Sequence, residues 1–251
     1  MKKFIAKLQC FWLLGLHDLT DEQQLMLLNA KNVAGLKAHH LDIGEYPLCD
    51  EAQLMLFNLP DASELVKLYI RKYRLCEEAE PMLFNLPDAS KLVKLYIQKY
   101  RLCEEAELRM LEHPNAAELV KLYLRKYPLY AKAQPRILEF PNAAELVKLY
   151  IQEHSLDKKA QLMLFNLPDA SELVKLYIQK YPLCKEAQLR MFKLPDASEF
   201  VKLYIQKHSL DEEVQLWMLD HPNAEELVKL YVLKYPLCHK ALIKLCSIYI
   251  G

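Results

Sequence analysis

Glycine is scarce in this chain, and its scarcity restricts the chemistry that the sequence can support. Only four of the 251 residues are glycine, at positions 15, 35, 44 and 251, and they form no cluster. Phosphate-cradling loops and nucleophile elbows need closely spaced glycines, because their backbone turns sharply and approaches a ligand. The sequence therefore disfavours nucleotide-binding loops and hydrolase elbows.

Net charge and long apolar runs are also missing. The chain has 33 Lys and Arg residues against 33 Asp and Glu residues, so no bulk positive field draws it to nucleic acid or to an anionic membrane. Although 53% of the residues are apolar, no uninterrupted apolar run approaches the roughly 18 residues of a membrane span. We expect a soluble protein with a large core and no membrane partner.

A repeat of 27 residues dominates the sequence. Seven regular units cover residues 59–247, and each begins near a Pro that is followed by Asp or Asn and then Ala. Residues 1–31 and 32–58 are interpreted as degenerate units separated by the extra pair Ala30 and Lys31, and residues 248–251 follow the last regular unit. The prolines that mark the regular units are Pro60, Pro87, Pro114, Pro141, Pro168, Pro195 and Pro222.

Each unit is long enough for two helices and two tight connections. The first, the A-type helix, is predicted over about 61–73, with Asp61 as N-cap and Glu64 completing a capping box. Its apolar residues cover a wide arc of roughly 200°, so it must be packed on more than one side. The second, the B-type helix, is predicted over about 77–85, and Pro81 and Pro135 should shorten or distort it in their units.

This pattern predicts an all-α fold, a right-handed or otherwise curved α-solenoid of about nine 27-residue helix-turn-helix units. We expect one elongated domain over residues 1–251. The alternation of a capped amphipathic helix with a shorter antiparallel one resembles the tetratricopeptide, Sel1-like, HEAT and leucine-rich-variant repeat families in architecture. That resemblance implies a binding surface for a protein or peptide and transfers no functional residues.

A column of basic side chains is the candidate partner-binding surface. The lysines recur every 27 residues on the polar face of the A-type helix, with Arg or Gln one turn further on. The alternative interpretation is a solvated face on which Glu, three residues before most of the lysines, forms helical ion pairs. The candidate residues are Lys67, Lys94, Lys121, Lys148, Lys175, Lys202 and Lys229, together with Arg71 and Arg125.

Other repeated side chains are interpreted as structural. A tyrosine column that includes Tyr69 lies near the centre of the apolar arc, so it is expected in the core. Five cysteines, among them Cys103, precede the B-type helix and lie too far apart for disulfides, while Asp157 and Asp211 replace them as N-caps. No His or Cys spacing is typical of a metal site, so we predict no catalytic, cofactor-binding or metal-binding residues.

Three functional classes remain open at this stage. A non-enzymatic protein- or peptide-binding scaffold is favoured, a modular nucleic-acid-binding repeat protein is the alternative, and an enzyme without a recognisable motif is the third. Reduced cysteines favour the cytoplasm, and the interrupted apolar stretch over residues 4–16 favours a capping helix over a secretion signal. The apolar residues 241–251 suggest either end-to-end association with a second copy or a packed terminal helix that hides its own apolar side.

Overall fold

The computed structural model describes residues 20–29 and 47–250, and within these ranges the chain forms sixteen helices, joined by turns and short irregular segments, and no strand. Predictions for residues 1–19, 30–46 and 251, including the N-terminal capping helix, lie outside the described residues. None of the described helices is both long and apolar enough to cross a membrane.

Seven A-type helices lie within the described ranges, and each follows one of the repeated prolines. They end two or three residues earlier than predicted in most units, because the N–H groups of Lys72 and Tyr73 both donate to the carbonyl of Tyr69 and tighten the last turn. The A-type helices are α3 (Ala62–Ile70), α4 (Ala89–Ile97), α6 (Ala116–Leu124), α8 (Ala143–Glu153), α10 (Ala170–Ile178), α12 (Ala197–Ile205) and α14 (Ala224–Val232).

The B-type helices are shorter and less regular. As predicted, the two units with an internal proline differ from the others: Glu80–Asn85 is a 3-10 helix and α7 is a single turn. The helices of this type are α2 (Asp50–Leu56), the 3-10 helix Glu80–Asn85, α5 (Glu104–Glu112), α7 (Gln134–Ile137), α9 (Lys158–Leu164), α11 (Lys185–Met191), α13 (Glu212–Leu219) and α15 (His239–Ile250), and α1 (Asp21–Asn29) precedes them.

The predicted capping box at the start of the A-type helix does not form. Asp61 is the N-cap residue, but its side chain makes no capping hydrogen bond, and its backbone has φ −103° and ψ 32° rather than the extended dihedrals of a side-chain cap. A backbone turn replaces the cap, since the Ala62 N–H donates to the Leu59 carbonyl at 3.1 Å. The prediction of a capping box is wrong because the Leu59 carbonyl of the Leu-Pro turn already accepts from the first N–H of the helix. Glu64 instead pairs with Lys67.

The predicted aspartate caps of the B-type helices are confirmed. The Asp157 side chain accepts a hydrogen bond from the Ala160 N–H at 2.7 Å, and that of Asp211 accepts one from the Glu213 N–H at 3.1 Å. Cys103, at the equivalent place, is buried and makes no cap bond, which fits its interpretation as a small packed thiol.

The contacts between helices are local and consistent with a helical repeat. By its contacts the chain divides into two compact parts, here called the first part (residues 1–123) and the second part (residues 124–251), and each is described separately. In the first part, α3 packs on α4, and the 3-10 helix packs on α5. In the second part, α8, α10, α12 and α14 pack in succession, as do α7, α9, α11, α13 and α15. Helices therefore pack mainly on the next helix of their own type.

Candidate interaction surface

The predicted lysine column lies at the surface of the A-type helices. Lys67, Lys94, Lys121, Lys148, Lys175 and Lys202 are partly exposed, whereas Lys229, Arg71 and Arg125 are exposed. Position within the helix explains this placement, because the buried arc of α3 is formed by residues such as Leu65, Val66 and Tyr69 on the other side.

Most of the resolved lysine pairs link neighbouring helices rather than residues of one helix. Lys67 pairs with Glu64 of its own helix, as predicted, at 3.3 Å between Nζ and Oε1. Lys148, in contrast, donates to Glu172 of the next A-type helix at 2.8 Å, and this hydrogen bond raises the pKa of the lysine. The other pairs between successive helices are Lys94–Glu118 (2.6 Å), Lys175–Glu199 (3.7 Å) and Lys202–Glu226 (2.6 Å).

A second set of lysines fixes the ends of the A-type helices. Lys207 Nζ donates to the carbonyl of Gln179 at 2.8 Å, and Lys234 Nζ donates to that of Gln206 at 2.6 Å. Both acceptors lie at the C-terminal end of the preceding A-type helix, where free carbonyls and the helix dipole favour a cation. The same bond joins Lys99 to Arg71 and Lys180 to Gln152.

A shallow depression of about 110 Å³ lies between α3 and α4, beside the first lysines of the column. It is lined by Ser63, Glu64 and Lys67 from α3, and by Asp88, Lys91, Leu92 and Leu95 from α4 and the residue before it. Lys91 and Asp88 form an ion pair of 3.1 Å. Both signs of charge therefore meet in this depression.

Behind this surface, a ladder of buried amide and carboxylate side chains crosses from one unit to the next. Gln188 shows its geometry: its Oε1 accepts from the Asp211 N–H at 2.9 Å, and its Nε2 donates to the Leu183 carbonyl at 2.9 Å. Gln53, Gln134, Gln161 and Gln215 likewise join a carbonyl of their own unit to an amide at or just before the start of the next B-type helix, whereas a Glu at this position only accepts. The residues of this glutamine ladder are Gln24, Gln53, Glu80, Glu107, Gln134, Gln161, Gln188 and Gln215, all of them buried.

Sequence reasoning missed the ladder, although the sequence carries its signal. A Gln or Glu recurs every 27 residues among the apolar positions of the B-type helix, between Ala79 and Met82 for example. A polar residue repeated on a buried helix face needs a hydrogen-bond partner, since burial without one costs free energy. The partners are backbone groups far along the chain, which periodicity alone does not identify.

Where the ladder residue is Glu, an arginine accompanies it. Glu80 is fully buried, and Arg74 donates to its Oε1 from Nε at 3.3 Å and from Nη2 at 3.2 Å. The Tyr96 hydroxyl donates to the same oxygen at 2.8 Å, and the Cys103 N–H donates to Oε2. Arginine occurs at this place only in the two units whose ladder residue is Glu, and before the ladder glutamines the place holds Pro, Ser or, in the first unit, Asp. The guanidinium compensates the buried carboxylate.

The tyrosine column is in the core, as predicted. All seven tyrosines are at most 1% exposed, and burial raises the pKa of Tyr69 and Tyr204 to about 12. Their hydroxyls accept hydrogen bonds from loop amides of the preceding unit, from Leu48 at 3.2 Å and from Leu183 at 3.2 Å. Their hydroxyls are therefore engaged in the fold, as the core interpretation requires.

Histidine and cysteine have structural surroundings in the described ranges. His113 Nδ1 accepts from the Asn115 N–H at 3.1 Å, and His221 Nδ1 accepts from the Asn223 N–H at 3.1 Å. Among the described residues, no group of three or more His, Cys, Asp or Glu side chains is arranged to hold a metal ion. No family model, curated protein or solved structure matches this chain.

Proposed function

We propose that this protein is a curved α-solenoid of about nine 27-residue units and that it serves as a non-enzymatic scaffold for a protein or peptide in the cytoplasm. One observation carries the proposal: the A-type helices present the same basic side chain every 27 residues, and ion pairs to the next A-type helix hold four of the seven lysines. The pairs Lys148–Glu172 and Lys202–Glu226 are examples. A repeated surface of this kind can contact an extended partner at several successive points.

The charge pattern favours a polypeptide partner over nucleic acid. Each lysine that pairs with the following helix has a carboxylate within 2.6–3.7 Å, so positive and negative charges alternate along the surface. Phosphate backbones bind where uncompensated Lys and Arg release counterions. A peptide that carries both signs of charge matches an alternating surface better.

The buried polar side chains support a scaffold as well. Gln161 is bonded on both sides, to the Cys184 N–H at 2.7 Å and to the Leu156 carbonyl at 2.9 Å. Such side chains maintain the spacing of the helices that carry the surface. Their repetition places the same outer residues in the same surroundings in each unit.

Selection from a displayed peptide library on the immobilised full chain tests this proposal. We expect selected peptides to lose most of their affinity for a variant with Lys148→Gln, Lys175→Gln and Lys202→Gln. Exposed ion pairs contribute only about 0.2–1 kcal/mol each, so this variant should stay folded.

A matched control removes three other lysines, Lys158, Lys159 and Lys193, which are exposed and lie outside the column. Binding that falls equally in both variants would reflect net charge alone and contradict the proposed surface. A single-stranded oligonucleotide that binds the full chain and loses binding in the first variant would favour the nucleic-acid alternative.

A further inference from the structure

Large apolar side chains are exposed near the C-terminal end of residues 124–251. Every large hydrophobic residue that the structure describes as exposed lies between Trp217 and Ile248, on α13, α14, α15 or just after α14. A concentration of exposed apolar side chains on a polar protein marks an interaction site.

Comparison with the preceding unit identifies which surface is uncovered. Val232 of α14 is 50% exposed, whereas Ile205, its equivalent 27 residues earlier in α12, is 2% exposed. Leu242 of α15 is 46% exposed, whereas Gln215, its equivalent in α13, is 5% exposed. The earlier pair lies on helices that α14 and α15 themselves cover. Val232 and Leu242 therefore mark the surface on which a further helix would pack, here called the α14–α15 face.

The sequence of this face differs from the equivalent positions of earlier units because Leu replaces polar residues. Leu242 stands at the ladder position, where each preceding unit has Gln or Glu, and Leu233 replaces the Gln or Arg of earlier units. Without the ladder amide, the N–H that would begin another B-type helix has no acceptor here. The face thus lacks the bond that joins one unit to the next, and it is more apolar than its equivalents.

The interior helices show what kind of segment such a face accepts. On α12, the occupant is α14, an amphipathic helix with Leu227 and Val228 buried and with Glu226 in its first turn. Glu226 pairs with Lys202 of α12 at 2.6 Å. The equivalent lysine on α14 is Lys229, which pairs with Glu225 of its own helix at 2.5 Å, is 71% exposed and lies on the same helix as Val232. The face therefore combines an apolar strip with a cation at its edge.

We infer that the α14–α15 face binds one amphipathic helix of a partner protein, with an acidic residue in its first turn and a Leu-Val-Tyr-Ile stripe like that of the A-type helices. The inference rests on the proposed scaffold function for the class of partner, and of the lysine column it uses only Lys229. The stripe packs on Val232 and Leu242, and the acidic residue pairs with Lys229.

The probe is an acetylated, fluorescein-labelled peptide with the sequence of residues 169–183, which includes an A-type helix. We expect saturable binding to the full chain in fluorescence anisotropy. Val232→Lys and Leu242→Lys should each weaken it about tenfold, because each side chain buries apolar surface under the peptide. Gln206→Lys adds the same charge at the exposed residue that follows α12 and should leave the affinity unchanged.

A charge exchange tests the acidic residue. A peptide with Glu172→Lys should bind severalfold more weakly, and Lys229→Glu in the protein should restore its affinity. No saturable binding at about 1 mM peptide, or binding that is insensitive to Val232 and Leu242, would overturn the inference.

Light scattering of the full chain provides a second decisive result. A dimer that Val232→Lys abolishes, without any peptide binding, would assign the face to a second copy and would equally overturn the inference. Failure of these experiments leaves the peptide selection on the lysine column unaffected, so the two proposals can fail separately.

Discussion

Replacement of Gln188 by Leu should destabilise the protein by about 2 kcal/mol, although Leu fills a similar volume. The substitution removes the bonds to the Leu183 carbonyl and to the Asp211 N–H, both 2.9 Å long. The buried carbonyl left without its donor costs about 1–3 kcal/mol, and the partly buried amide costs about 1 kcal/mol. The greater apolarity of Leu offsets roughly 1 kcal/mol of this loss.

Urea unfolding followed by far-UV circular dichroism measures the effect, and hydrogen exchange with mass spectrometry localises it. The segment that carries the Asp211 amide should exchange faster in the variant, because that amide has lost its acceptor. Gln179→Leu is the matched control, since Gln179 is exposed and the same substitution there should change stability by less than about 0.5 kcal/mol. If Gln188→Leu is no more destabilising than the control, the ladder does not hold the units together.

Three other predictions concern buried groups. Arg74→Leu should cost about 3 kcal/mol in urea unfolding, because it leaves the Glu80 carboxylate buried without its cation, and adding Glu80→Gln should recover most of the loss; no recovery would show that the charge is not the cause. Burial raises the pKa of the Cys103 thiol to about 11, whereas Cys246 is exposed. Iodoacetamide at pH 8 should therefore alkylate Cys103 at least about a hundredfold more slowly than Cys246, as measured by peptide mass spectrometry. Equal alkylation rates would contradict the burial of Cys103. Burial also raises the pKa of Tyr69 to about 12 from an ordinary value of 10. The stability that the neutral hydroxyl provides is therefore present below pH 10 and is lost as the pH rises towards 12. Unfolding measured against pH should show this loss of stability, and Tyr69→Phe should make the loss smaller.

The sequence was sufficient to predict helices and core positions, because both depend on local periodicity. Tyr69 and Val66 are buried because they fall on the apolar arc of a single helix. The distortion at Pro81 was predictable for a similar reason, since a proline removes a backbone donor wherever the helix lies. The end-to-end packing of the whole array and its description as one domain stay predictions.

Features that depend on two units together were not predictable in this way. Glu172 follows Lys148 by 24 residues, so their pairing requires the contact between α8 and α10, which a helical wheel of one helix does not contain. The side chain of Asp61 was expected to cap α3, but the preceding turn had already satisfied the helix start. The glutamine ladder needed the same information, because its acceptors and donors belong to successive units.

The ladder bond also has an evolutionary consequence, because it tolerates changes in the length of chain between its two ends. Gln53 reaches the Cys76 amide 23 residues away, and Gln24 reaches the Cys49 amide 25 residues away, with bonds of 2.6 and 2.8 Å. The first bond meets the turn before the 3-10 helix and the second meets the start of α2, so the same acceptor serves connections of two lengths. Gain or loss of one 27-residue copy likewise places an identical amide beside an identical acceptor. Copy number in such a gene can therefore change between generations without a compensating mutation at the junction.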